Sequence, residues 1–202
     1  MSTVPKRHFR LIILLGLISL VCAVLQTEPA ATWSAWRQVD IQQGQWWRIV
    51  TGNFTHTNLA HLVMNLAGLW VICYLFRPRP FDLILALFLC SLGVGLLNLT
   101  TTMQGYVGLS GVLHGLFGYF ALREYLPSKS HLPRRKSSGL LVLGLLAKIA
   151  WEQSMGAPES TSALIEAPVA IDAHLFGAGT GLLFALVMHL LTQQNKDAIT
   201  PK

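Results

Sequence analysis

Charge is scarce in this sequence. Asp, Glu, Lys and Arg supply 12% of its 202 residues, about half the roughly 25% usual in a soluble domain and too little to cover a water-facing surface of this size. Cysteine is almost absent too. Cys22, Cys73 and Cys90 all lie inside apolar runs, so no disulfide framework or zinc ribbon can be built from them, and they are expected to act as small buried apolar side chains. A Gly-rich phosphate loop behind a strand pattern is missing, as is any repeat at the roughly 20–50-residue period of solenoids and propellers.

Apolar residues are what the chain has in quantity, at 52% with a mean hydropathy of +0.50. They gather into six segments, at about residues 9–25, 58–76, 81–99, 109–126, 138–151 and 173–191. Most approach the roughly 20 residues that cross a hydrocarbon core. The expected fold is therefore an all-α polytopic membrane protein, a six-transmembrane-helix bundle forming one domain over residues 1–202. The fifth segment is short and must tilt, thin the bilayer around it or extend into its flanks. The first has the basic start and apolar core of a signal peptide, but residues 26–30 make a poor cleavage site, so a retained helix is expected.

Lys and Arg set the direction of the spans. With the N-terminus cytoplasmic, the inner segments hold Lys6, Arg7, Arg10, Arg77, Arg79, Arg123, Lys129, Arg134, Arg135, Lys136, Lys196 and Lys202, and the outer ones only Arg37 and Arg48. Glu28, Asp40, Glu152, Glu159, Glu166 and Asp172 fall outside. The formal charge of +6 is thus a topology signal and not a nucleic-acid footprint. Both termini are expected in the cytoplasm, with residues 128–138 forming a solvated basic loop beside anionic headgroups. Residues 26–57 form an outer loop whose Trp33, Trp36, Trp46 and Trp47 are expected to lie in the membrane interface.

Polar groups inside spans are costly and need a reason. His61 and Asn65 lie near the outer end of the second span, Ser110 and His114 open the fourth, and His174 opens the sixth. Three segments thus bring Ser, His and Asn to one depth. His61 and Asn65 share a helix face, as do Ser110 and His114. Gly108, Gly111, Gly115 and Gly118 on the fourth span, with Gly177 and Gly181 on the sixth, let those two backbones approach closely, so that a serine can reach a histidine across helices.

An imidazole in contact with a serine hydroxyl can take its proton during attack on a carbonyl and return it to the leaving amine. The oxyanion that forms needs fixed donors; the Asn65 amide, the His61 ring and the Ser110 backbone N–H are the candidates. No triad acid is evident, because Asp172 reads as the N-cap of the sixth span, and a Ser–His dyad is expected. Lys148 and Glu152, four apart near the outer end of the fifth span, read as a local ion pair that also shapes substrate access. His189, near the inner end of the sixth span, reads as a helix bridge or an interfacial tip.

These residues resemble the rhomboid family of intramembrane serine proteases. Trp47-Arg48 through Thr51, Phe54 and His56, then His61-Leu62 and Asn65, look like its first loop and second helix. Gly108-Leu109-Ser110-Gly111 matches the G-x-S-G motif, and Ala173-His174 with Gly177 and Gly181 matches A-H-x-x-G-x-x-x-G. The resemblance, over roughly residues 46–190, implies Ser110 as nucleophile, His174 as general base, His61 and Asn65 as oxyanion partners and a structural His56. It also implies hydrolysis without metal or cofactor near the outer membrane face, and a fifth helix acting as a lateral gate.

Many rhomboids carry Tyr four residues after the serine, where this chain has His114. With Gly115 this gives G-x-S-G-x-x-H-G, which is similar to the rhombosortase subgroup. That subgroup implies a bacterial inner-membrane enzyme whose partners carry a C-terminal sorting tail of a Gly-Gly motif, an apolar helix and basic residues. The alternatives are a general rhomboid protease with other single-span substrates, a non-catalytic rhomboid-like binding protein, and a metal or solute transporter using His56, His61, His114 and His174 as ligands.

Overall fold

The computed structural model describes residues 4–127 and 136–199. Helix α1 spans Val4–Val24. The following loop folds into α2 (Ala30–Ser34), strand β1 (Trp36–Arg37), α3 (Gln38–Gln42), α4 (Arg48–Thr51) and a 3-10 turn at Gly52–Phe54. Then come α5 (Leu59–Phe76), α6 (Pro80–Asn98), β2 (Gly105–Tyr106), α7 (Ser110–Tyr125), α8 (Lys136–Met155), α9 (Glu159–Ile165) and α10 (Ile171–Ile199). Each of the six apolar segments becomes one long helix.

Four of them, α1, α5, α6 and α10, are each long and apolar enough to cross a membrane, and α8 qualifies together with α9, to which it is joined at 89°. The fifth segment overcomes its shortness by extending into both flanks. With 16 residues, α7 covers about 24 Å, less than the roughly 30 Å of a hydrocarbon core. It packs against α5, α6, α8 and α10, and a helix so enclosed has little lipid to meet.

Local chemistry sets the helix starts. The Asn58 side chain caps α5 by accepting from the His61 N–H at 2.9 Å, and Pro80 occupies the first turn of α6, where its missing N–H costs nothing. Asp172 is not the cap expected of it: α10 begins at Ile171, so the carboxylate sits within the first turn, still favourably placed on the helix dipole. The core runs through Leu69, Leu83, Val94, Val112 and Leu116, and α1 adds Leu11, Leu15, Ile18 and Cys22. All three cysteines are free and buried. Phe9, Leu20, Val71 and Leu183 point outward, as they would toward lipid.

The loop between α1 and α5 departs from a simple interfacial belt. Trp33, Trp46 and Trp47 are exposed, but Trp36 is fully buried because its indole N–H donates to Gly95 O at 3.0 Å under α6. Buried Arg48 organises the loop, donating to Thr32 O, Ala35 O and Gln45 Oε1 and lying 3.4 Å from Asp40. The antiparallel pair β1–β2 sets Trp36 opposite Tyr106, tying this loop to the segment that leads into α7. At the other end of the bundle Arg7 donates to Arg77 O at 2.7 Å and Arg123 pairs with Asp82 at 3.0 Å. Residues 128–135 of the basic loop, and Lys202, lie outside the described residues.

Candidate active site

The backbone before Ser110 needs glycine. Gly108 has φ +125°, and a Cβ there would meet the His61 ring at 2.7 Å. The buried Tyr106 hydroxyl donates to Gly108 O at 2.5 Å and fixes the turn. Ser110 then opens α7, where the first N–H groups of a helix have no partner within it.

The glycines on α7 and α10 interlock. A Cβ on Gly177 would overlap Gly111 O, and one on Gly181 would overlap Gly115 O. A Cβ on Gly111 would approach Ala173 O at 2.7 Å. Backbone therefore lies on backbone along this seam, and His174, in the first turn of α10, reaches the start of α7.

Ser110 Oγ lies 2.9 Å from His174 Nε2. The other nitrogen, Nδ1, is 2.9 Å from Glu152 Oε2, and Lys148 Nζ donates to Glu152 Oε1 at 2.6 Å. Glu152, buried on α8, is the residue that sequence reasoning missed. Its spacing assigned it to Lys148 alone, and a Ser–His dyad with no carboxylate was expected. The available signal was an acid near the end of an apolar run, on the side that also holds His174. The His114 ring stacks on His174 with centroids 4.2 Å apart and an angle of 20°, while His114 Nδ1 donates to Ser110 O at 2.7 Å.

On the far side of Gly108 stand His61 and Asn65, both buried. The Thr57 N–H points to His61 Nδ1 at 3.4 Å, and His61 Nε2 faces Gly108. Asn65 Nδ2 is buried without a partner, and a buried unpaired donor is expensive unless something arrives to accept from it. A cavity of about 520 Å³ opens above these groups, lined by Trp36, His61, Tyr106, Ser110, Ile165 and Ala170 among others. Thr57 Oγ1 sits 3.0 Å from His61 Nδ1 and 2.6 Å from Ile165 O, linking that wall to α9.

Ser110, His114, His174, His61 and Asn65 thus gather at one end of the bundle with His56 beside them, and His189 lies apart. His189 is fifteen residues along α10, about 22 Å from His174. His56 packs edge-on against His61 at 5.0 Å and, with the Gln26 amide turned to suit it, donates from Nδ1 to Gln26 at 3.1 Å. Burial, and then the neighbouring His61, push its imidazole from 6.5 down to about 3. His56 stays neutral in the fold, whereas the unfolded chain binds a proton below about pH 6.5. Its contribution is complete above that pH and is lost as pH falls toward 3. Between pH 7 and pH 5 the loss is roughly 2 kcal/mol, so the melting temperature in detergent should drop on acidification, and less steeply for His56→Gln.

Among the described residues, His114, Glu152 and His174 also bring ligand-type atoms within 4.8 Å of one another. Stacked imidazoles turn faces toward each other and not their in-plane lone pairs. The two His174 nitrogens and His114 Nδ1 are already engaged, so the cluster is poorly shaped for a metal ion.

A serine in contact with a histidine, beside two further buried polar side chains, thus lies at one end of a bundle of apolar helices. Residues 43–191 match the family model for the Rhomboid domain, and the chain belongs to the rhomboid family. It is 28% identical over 178 residues to proteins named Rhomboid protease GlpG from Klebsiella pneumoniae strain 342 and from Klebsiella pneumoniae subsp. pneumoniae strain ATCC 700721 / MGH 78578. The match takes in 85% of this chain and 60% of each relative, so the chain spans less than two thirds of their length.

Proposed function

We propose that this protein is an intramembrane serine endopeptidase, with Ser110 as nucleophile and His174 as general base. The observation that carries this reading is the 2.9 Å contact between Ser110 Oγ and His174 Nε2. As Oγ bonds to the substrate carbonyl carbon, its proton moves to Nε2. The oxyanion accepts from the Ser110 N–H, the Asn65 amide and His61 Nε2. The C–N bond then breaks as Nε2 returns the proton to the leaving amine. Water repeats the sequence on the acyl-enzyme and restores the free serine. The cavity beside Trp36 and Tyr106, which Ser110 also lines, is the route for water and substrate in this reading.

All six long helices span the membrane in this reading, with both termini cytoplasmic and the site opening outward from a bacterial inner membrane. The distribution of Lys and Arg supports that direction. The substrates are membrane-anchored proteins cut near the outer end of a helix, where small residues such as Gly help the segment unwind. His114 in place of the more usual Tyr favours C-terminal Gly-Gly sorting tails over other single-span substrates.

The test combines a fluorophosphonate label with a cellular reporter carrying a Gly-Gly motif, an apolar helix and a basic tail. Wild type should be labelled and should cut the reporter, whereas Ser110→Ala should do neither. Cutting that survives Ser110→Ala would overturn the assignment. Labelling without cutting would remove the sorting-tail substrate and leave a general rhomboid protease. The absence of both would favour a binding protein.

A further inference from the structure

We infer that Glu152 is the positioning residue for His174, the carboxylate that selects its tautomer and steadies its charged form. The inference rests on the protease reading above and adds a member to it. The bland alternative is an i,i+4 ion pair between Lys148 and Glu152 that serves only the helix. The burial of the two partners argues otherwise. The Lys148 side chain is 50% exposed and that of Glu152 only 7%. Exposed pairs contribute little, and a carboxylate is expensive to bury for such a gain. Glu152 is turned inward and divides its oxygens, Oε1 to Lys148 at 2.6 Å and Oε2 to His174 Nδ1 at 2.9 Å.

The consequences for His174 are specific. An ionised carboxylate only accepts hydrogen bonds, so the His174 proton resides on Nδ1 and the lone pair on Nε2, 2.9 Å from the Ser110 hydroxyl. The opposite tautomer would place a proton on Nε2 and leave no base. When Nε2 takes the serine proton the ring becomes an imidazolium, and its charge then lies against Glu152. When the proton passes to the leaving amine the ring returns to the same neutral tautomer. The groups facing Glu152 are Lys148 on its own helix, His174 on α10 and the more distant His114 on α7. His114 does not compete for His174 Nδ1, because its own Nδ1 is bonded to Ser110 O. Lys148 supplies the countercharge that a buried carboxylate requires.

The test is steady-state cleavage of a membrane-anchored peptide by the purified full chain in detergent, with fluorophosphonate labelling alongside. Glu152→Gln keeps the shape, can still accept from Lys148, and presents His174 with an amide able to donate. In serine proteases of other folds the corresponding change lowers kcat by about 10⁴-fold. Here kcat should fall by about 10²–10⁴-fold with KM within about threefold of wild type, and labelling of Ser110 should slow in parallel. Lys148→Met, which leaves the His174 contact in place, should lose only about tenfold. A Glu152→Gln kcat within threefold of wild type, or a loss expressed in KM, would overturn the inference.

Should that variant fail to accumulate, Glu152→Asp decides. Its arm is one methylene too short for the 2.9 Å contact, and kcat should fall by about tenfold or more; a full rate would overturn the inference. Failure of the protease reading itself is distinct, since wild type would then show neither label nor cleavage.

Discussion

His174→Ala should slow acylation of Ser110 by about 10⁴–10⁶-fold, the scale on which removing a general base acts in serine proteases, while His114→Phe should stay within about tenfold of wild type. The two rings are stacked 4.2 Å apart and lie at nearly the same depth, yet their nitrogens are used differently. His174 presents Nε2 to Ser110 Oγ. His114 spends Nδ1 on the Ser110 carbonyl and offers His174 its face. Phe retains that face and loses one hydrogen bond, whose net worth is about 1 kcal/mol. Time courses of fluorophosphonate labelling on both variants, each checked for folding by its melting temperature, read the difference directly. Equal losses would remove His174 as the base and put His114 in its place.

Gly177→Ala should also be damaging, although it touches no reacting atom. A methyl there overlaps Gly111 O, a backbone atom that no rotamer change can move aside. Overpacking of this kind costs about 1–3 kcal/mol, and more when the obstacle is backbone. The two helices must separate to admit the methyl. Ser110 begins α7 one residue before Gly111, so the separation falls on the 2.9 Å Ser110–His174 contact, and a 1 Å misplacement costs about 10²-fold. Cleavage should fall by at least about that factor together with the melting temperature. Gly179→Ala is the control. A Cβ there meets nothing within 4 Å, and exchanging glycine for alanine within a helix favours it by about 1 kcal/mol. If both variants behave alike, the seam between α7 and α10 does not set the geometry of the site.

This seam was legible in the sequence because glycine spacing is a local pattern that states where backbones can meet. The helices were legible for the same reason, since apolar runs of near-spanning length leave the backbone no other way to satisfy its hydrogen bonds in lipid. What escaped was set by long-range geometry. Glu152 has an obvious partner four residues away. Nothing local says that its second oxygen meets His174 on another helix, because that depends on where α8 passes α10. Trp36 looked interfacial beside Trp33, Trp46 and Trp47, and only the fold of the loop beneath it brings its indole to Gly95 O. A ladder of two residues such as β1–β2 is too short to leave an alternation in the sequence. The end of α10 moved for another reason: an acid one residue inside a helix and an acid at its cap look alike without the backbone.

Ser110, His174 and Glu152 sit on three different helices. Ser110 and His174 ride on α7 and α10, whose main chains lie one on the other at the glycines. Glu152 rides on α8, which meets α10 and α7 through Leu145 and Ile149 packed with Ala178 and Phe117. A sideways shift of α8 by one or two ångströms breaks the 2.9 Å contact with His174 and leaves the serine and histidine where they are. If Glu152 acts on His174 as inferred above, the seat of α8 against α7 and α10 bears on how strong a base the histidine is.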